Sequence, residues 1–142
     1  MKKLLFSLTA LVLTTGLFAQ KKADEVAKFK IETIDMGKIK QDNPATAVFE
    51  VTNIGTEPLI IEQANPTCGC TTPEWEKDKD IPAGGTSIIK VGYNAAAEGA
   101  FNKAITITYN DNQTKQITIK GEVWKTPAAS APTNAAANDL KN

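Results

Sequence analysis

The residues with the clearest potential for chemistry are two cysteines separated by one glycine, Cys68-Gly69-Cys70. A disulfide between them closes a very small ring, which removes little unfolded-state entropy compared with a ring of ~100 residues. Residues i and i+2 lie roughly 5.5–7 Å apart at Cα, at the upper edge of disulfide geometry. Gly69 is therefore expected to permit the turn that brings the sulfurs together. Such a bond would be easily reduced, which suits thiol exchange better than reinforcement.

Several interpretations of this motif stay open. The favoured one is structural: Cys68 and Cys70 fix the loop, either as a local disulfide or as small packed thiols. The alternatives are thiol-redox exchange, metal binding by two thiolates that hold a soft ion such as Cu(I), and a disulfide to another chain. We therefore expect no cofactor, with copper as the alternative. The nearest candidate activators of a thiol are Lys77 and Lys79.

A second candidate site is a partner-contact loop formed by Trp75, Glu76 and Lys77, where a tryptophan meets a run of alternating charges. Tryptophan is enriched at the energetic centres of protein interfaces. The favoured alternative is a solvated loop with Trp75 folded over the edge of the domain. Glu74 and Glu76 are paired carboxylates without an indicated acid–base partner, so glycosidase-like chemistry is not expected. The sequence predicts no catalytic residues and no enzyme, with a thiol-redox role as the alternative.

The composition excludes several function classes. All 16 cations of the 142 residues are lysines, because the chain contains no Arg and no His. Catalytic triads with a His base and zinc sites held by imidazole are therefore excluded. Bidentate guanidinium recognition of phosphate or guanine is excluded as well. Sixteen Asp and Glu balance the lysines, so we expect no nucleic-acid partner.

Both termini are predicted to lie outside the folded domain. Residues 1–19 have the pattern of a secretory signal peptide, with Lys2 and Lys3 before an apolar run and Ala19 before the expected cut. The product would be exported, to the periplasm in the first place and to the outside of the cell as the alternative, without stable membrane insertion. Residues 20–27 form a polar leader. Residues 125–142, rich in Ala, Pro and Asn, are predicted to be a disordered tail.

Residues 28–124 are predicted to fold as an all-β, immunoglobulin-like antiparallel β-sandwich of about seven strands. Apolar residues alternate with polar ones around Phe49, Ile107 and Ile119, which is the period of half-buried strands. The alternation that includes Phe29 and Ile31 changes phase before Ile34. Residues 65–81 show no strand period, so they are either a functional loop or missed structure. Trp124 is expected to cover the open end of the core.

Glycines inside two strand patterns, Gly92 and Gly121, indicate a bulge or a close backbone approach.

The order and spacing of seven short motifs resemble the bacterial domain of unknown function 1573 family. The motifs are MGKI at 36–39, FEVTNIG at 49–55, PLII at 58–61, CGCTTP at 68–73, IPAGG at 81–85, GAFNK at 99–103 and IKGEV at 119–123. Met36 stands where the family usually has Phe, and Ala83 separates Pro82 from Gly84. The resemblance implies an exported immunoglobulin-like sandwich, related to Hydin-type and major-sperm-protein-like modules, with no established activity.

Two functions from different classes follow. The first is an exported, non-catalytic binding or scaffolding module of the bacterial envelope, whose partner would be another envelope protein. The second is a thiol-redox or Cu(I)-binding protein that acts through Cys68 and Cys70. The sequence does not indicate which oligomeric state the protein has.

Overall fold

The fold is seen in a computed structural model that describes residues 26–110 and 112–127. Eight strands make up its regular structure: β1 (Ala27–Phe29), β2 (Thr33–Lys40), β3 (Ala45–Asn53), β4 (Ile61–Pro66), β5 (Thr71–Trp75), β6 (Thr86–Tyr93), β7 (Gly99–Tyr109) and β8 (Gln113–Trp124). No helix in this part of the chain is long and apolar enough to cross a membrane. The predicted signal segment, residues 20–25 of the leader and residues 128–142 of the tail lie outside the described residues. Ala27, which the sequence prediction placed in the leader, begins β1 and is buried.

The strands form two four-stranded sheets. The first sheet has the order β1-β3-β6-β5, and the second has the order β2-β8-β7-β4. The pairings are antiparallel except that of β2 with β8, which is parallel. The predicted all-β sandwich is confirmed, with eight strands instead of about seven and one parallel pair that the sequence did not indicate.

The core lies between the inner faces of the two sheets. Strand β3 buries Ala47, Phe49 and Val51 with the predicted period of two. Side chains with no solvent exposure come from both sheets: Phe49, Ile89, Val91, Ile105, Ile107, Ile117 and Ile119. Complete burial of a side chain of this size contributes about 1.5–3 kcal/mol. This interlayer contact fixes the face that each central strand turns inward.

The change of phase near Ile34 marks a crossing between the sheets. Phe29 ends β1 in the first sheet, and Thr33 begins β2 in the second. Ile31 lies in the connection and is 52% exposed. The predicted alternation over residues 29–36 therefore belongs to two strands in different sheets.

Residues 65–81 contain a strand that the sequence pattern missed. Strand β4 runs to Pro66, and β5 occupies residues 71–75. Because β5 is an edge strand that pairs only with β6, it needs few inward apolar residues, and only Thr71 in it is fully buried. A strand of this kind leaves no apolar alternation in the sequence.

The expectation for Trp124 is wrong. Trp124 is 41% exposed, and it is not among the side chains that pack against the core.

One end of the sandwich is held by Asn53, whose side chain is fully buried. Its amide nitrogen donates hydrogen bonds to the carbonyls of Glu57 and Ile81, each at 2.8 Å. Its amide oxygen accepts the N–H of Gly55 at 2.9 Å. All three contacts satisfy backbone groups, so a buried polar side chain ties together two segments that contribute few strand hydrogen bonds. Leu59 and Ile81 complete this end by exchanging backbone hydrogen bonds with each other.

The two strand glycines differ in the space around them, which generates a matched test. A Cβ at Gly121 would lie 2.7 Å from the Gly37 carbonyl oxygen and 2.8 Å from the Phe101 ring. A Cβ at Gly92 would meet nothing closer than Thr72, at 3.5 Å. We expect Gly121→Ala to lower the free energy of unfolding by about 1–3 kcal/mol through overpacking. Gly92→Ala should change it by less than about 1 kcal/mol. Urea unfolding of both variants checks this, and equal losses would contradict it.

Candidate functional site

The two cysteines lie where the chain crosses from the second sheet to the first. Residues 67–70 connect β4 with β5, and both ends of this crossing are anchored. Thr67 donates its N–H to the Ala104 carbonyl on β7, and the Cys70 carbonyl accepts the N–H of Asn94, each at 3.1 Å. A turn inside the crossing is closed by the Thr71 N–H, which donates to the Cys68 carbonyl at 3.3 Å. The motif is therefore part of a short, fixed link between the layers.

Cys68 and Cys70 are joined in a disulfide, with their Cα atoms 5.3 Å apart. This separation falls within the usual range of about 4.4–6.8 Å. The backbone of Gly69 does not adopt a positive φ, and a Cβ there would meet nothing within 4 Å. The expectation that Gly69 permits the turn is wrong, because the space and the conformation both admit alanine.

The surroundings of the two sulfurs differ. Both cysteines are half-buried, but Cys70 packs against the apolar core. Beneath the pair lies Thr71, which is 3% exposed and whose hydroxyl oxygen is 3.8 Å from each Sγ. Sequence reasoning missed Thr71 because a threonine next to cysteine carries no distinctive pattern. The Thr71 hydroxyl is therefore close enough to form a hydrogen bond with either sulfur.

Metal binding by Cys68 and Cys70 would require the reduced form of these cysteines. Among the described residues no cluster of three or more His, Cys, Asp or Glu side chains could hold a metal ion. A disulfide also offers no thiolate, which is the form that ligates soft metals. Binding of Cu(I) by Cys68 and Cys70 would therefore require their reduction, and it stays a prediction.

The predicted contact residues are placed around the far end of β5. Trp75 is the last residue of that strand, and its indole N–H donates to the Ile61 carbonyl on β4 at 3.0 Å. This bond joins the edge strands of the two sheets. Glu76 and Lys77 follow on an exposed turn, where the Glu76 carboxylate accepts a hydrogen bond from Lys79 at 2.6 Å. The contact role of the three residues stays a prediction.

A shallow cleft of about 390 Å³ lies beside Trp75, lined by Glu74, Trp75, Glu76, Ile88 and Lys90. A second depression of about 300 Å³ is lined by Pro73, Glu74, Trp75 and Lys77. The disulfide precedes β5 and Trp75 ends it, so the structure does not bring the two candidate sites together.

Comparison with known proteins places the chain in a family. The family described as "Protein of unknown function (DUF1573)" matches residues 27–123. The chain belongs to this family. The resemblance expected from the seven motifs is therefore confirmed, and it covers all eight strands except for the last residue of β8. No curated protein matches the sequence.

Solved structures similar to this DUF1573 domain share its fold. A protein of unknown function from Porphyromonas gingivalis W83 matches with a TM-score of 0.61 and 21% identity, covering 75% of this chain and 51% of its own. The chain thus spans about half the length of that protein. The ASH/PapD-like domain 7 of human CEP192 matches with a TM-score of 0.61 and 11% identity, covering 85% of this chain and 98% of its own. At these identities the likeness shows the immunoglobulin-like fold alone.

The small ring of the disulfide leads to a prediction about stability. For a closed loop of three residues, the loop-closure relation gives about 1.6 kcal/mol at 25 °C. We expect replacement of Cys68 and Cys70 by Ser to lower the free energy of unfolding by no more than about 2 kcal/mol, measured by urea unfolding. Reduction of the native chain serves as the control. A loss above about 4 kcal/mol would contradict the view that the bond adds little to the fold.

Proposed function

We propose that this DUF1573 domain is an exported, non-catalytic protein-binding or scaffolding module of the bacterial envelope, and that it contacts its partner through the outer face of the first sheet. The observation that carries the proposal is a pair of apolar side chains on a face that ordinarily points to water. We call these two residues and the charged residues beside them the outer patch; it consists of Val48, Glu74, Ile88 and Lys90.

The centre of the outer patch is apolar. Val48 on β3 is 52% exposed and Ile88 on β6 is 44% exposed. Val48 pairs with Lys90, and Glu50 pairs with Ile88, so Val48 and Ile88 are diagonal neighbours on one face. Trp75 lines the adjoining cleft, but it is opposite the buried Ile89 and packs against the core, so it is not part of the outer face. An apolar centre such as that formed by Val48 and Ile88 is typical of the buried part of protein interfaces.

The rim of the outer patch is charged with both signs. Glu74 on β5 is directly opposite Lys90 on β6, and Glu76 completes the cleft. Charged rims of this kind steer encounter and choose between partners more than they add affinity. By contrast, the outer positions of β7 and β8 include Thr106 paired with Gln116 and Thr108 paired with Thr114. That uncharged hydroxyl and amide surface lacks an apolar centre.

Contact by side chains fits β5 better than addition of a strand to its free edge. The Cys70 carbonyl points toward the neighbouring strand and accepts the N–H of Asn94, the residue that follows β6. Since backbone direction alternates along a strand, Thr71, Pro73 and Trp75 turn their backbone groups away from β6. Pro73 has no N–H, and the N–H of Thr71 is already bonded to Cys68. Among the five residues of β5, an incoming strand would find only one backbone N–H that is free to donate. Natural edge strands resist pairing by limiting their free backbone groups in this way.

Export is supported by the pattern of residues 1–19 and by the disulfide, since disulfides persist in oxidising compartments. The periplasm is the location that we propose, with secretion as the alternative. The absence of His and Arg from the sequence supports a role without acid–base catalysis.

Site-specific photo-crosslinking tests the proposed contact surface in cells that export the protein. A photoreactive residue at Ile88 should give a discrete adduct with another envelope protein, whereas the same residue at Gln116, on the outer face of the second sheet, should give none. Adducts of equal yield at both positions, or at Gln116 alone, would contradict the proposal.

Loss of the apolar centre should remove the contact without unfolding the domain. We expect Ile88→Glu to reduce the adduct formed from a photoreactive residue at Val48 by at least tenfold, because a carboxylate at the centre of an interface must be desolvated. Ile88 is on the outer face, so thermal unfolding should shift little. Gln116→Glu is the matched control, and an unchanged adduct in Ile88→Glu would count against the outer patch.

A second candidate function is thiol exchange at Cys68 and Cys70. It is favoured by the position of the disulfide, which is half-exposed in a short turn and adds little to stability through loop closure. Rapid reduction of the folded chain by a dithiol, at a rate well above that of a deeply buried bridge, supports this candidate. Resistance of the bond in the folded chain and rapid reduction only in urea would exclude it.

A further inference from the structure

The two sulfurs of the disulfide are unequal as targets for an incoming thiolate. Cys70 packs against the apolar core, and its carbonyl is bonded to Asn94. Cys68 begins the turn and is not among the residues packed against the core. A thiolate must approach the attacked sulfur from the side opposite the leaving sulfur, so access decides which of the two reacts.

Resting on the thiol-exchange candidate above, we propose that Cys68 is the sulfur attacked and Cys70 the sulfur that leaves, with the Thr71 hydroxyl stabilising the departing thiolate. The substrate class is a dithiol of another exported protein. Approach to Cys68 comes from the solvent side of the turn. Approach to Cys70 would have to pass the core residues against which it packs.

The reaction balances with the substrate as the only co-reactant. A substrate thiolate forms a bond to the Cys68 Sγ, the bond between the cysteines breaks, and its electron pair leaves on the Cys70 Sγ. The second substrate thiolate then attacks the substrate sulfur of this mixed disulfide and releases Cys68 as a thiolate. The substrate is oxidised by two electrons, the cysteine pair is reduced, and the two protons lost by the substrate dithiol pass to Cys68 and Cys70.

Thr71 is placed to assist the first step. Its hydroxyl oxygen lies 3.8 Å from the Cys70 Sγ, and the residue is only 3% exposed, so bulk water competes little for this contact. The backbone of Thr71 is held by the bond from its own N–H to the Cys68 carbonyl and by the bond from Asn94 to the preceding Cys70 carbonyl. The hydroxyl is equally distant from the Cys68 Sγ. The direction of attack is therefore set by the core contact of Cys70, and Thr71 contributes to the rate.

The direction of attack is tested with reduced glutathione on the folded, oxidised full-length chain. The reaction is quenched with acid, free thiols are alkylated, and the position of each group is mapped by fragmentation mass spectrometry. We expect glutathione on Cys68 and the alkyl group on Cys70 in most of the trapped adduct. The urea-unfolded chain is the control and should give both isomers in similar amounts.

Single-cysteine variants decide the same question where the mixed disulfide recloses too fast to trap. We expect the thiol of Cys68 in Cys70→Ser to react with oxidised glutathione at least tenfold faster than the thiol of Cys70 in Cys68→Ser. Equal rates, the reverse order, or glutathione mainly on Cys70 would overturn the inference while leaving thiol exchange intact. A folded chain that does not exchange at all would instead exclude the thiol-exchange candidate, and the inference with it.

The role of Thr71 is tested by two substitutions. Thr71→Val keeps the shape of the side chain and removes the hydroxyl, and we expect it to slow exchange roughly tenfold, as loss of a hydrogen bond to a charged group implies. Thr71→Ser keeps the hydroxyl and should retain most of the rate. If both variants slow exchange equally, Thr71 acts only through packing and its proposed part in the reaction is wrong.

Discussion

The apolar contact between the two sheets is the interaction on which the rest of the domain depends. Phe49 and Ile89 of the first sheet and Ile107 and Ile119 of the second have no solvent exposure at all. Since side chains alternate along a strand, each residue that enters this layer fixes its neighbours on the outer face. Val48 and Ile88 are apolar on that outer face and contribute nothing to the core. Their apolar character is therefore not required by the core, and it forms the centre of the proposed contact surface.

The same contact explains how far the sequence predicts the structure. The central strands β3, β7 and β8 are recognisable because the core demands an apolar residue at every second position. Strand β5 was missed because an edge strand meets the core with few side chains. Ile31 and Trp124 were misjudged for a related reason: alternation indicates which residues share a face, but it does not show where a strand ends or changes sheet.

The sequence was sufficient to predict which residues form the candidate site, but not which groups surround them. Cys68 and Cys70 are evident from their spacing, and the disulfide is compatible with it. The buried hydroxyl of Thr71 and the unequal packing of the sulfurs depend on contacts between distant segments, such as the bond from Asn94 to the Cys70 carbonyl. No local pattern encodes such contacts. The expectation that Gly69 shapes the turn was wrong, because an ordinary φ is sufficient there.

Both candidate sites flank β5, and the reason lies in its position at the edge. A strand that supplies little apolar surface to the core is free to vary in its side chains without loss of the fold, whereas β7 and β8 are not. The fold still holds β5 firmly, through its ladder with β6 and the indole bond from Trp75 to the Ile61 carbonyl. Function requires side chains that the surrounding structure holds in place. In this domain the outward residues of β5, such as Glu74, are free to vary in type, whereas Trp75 helps to fix the strand that carries them.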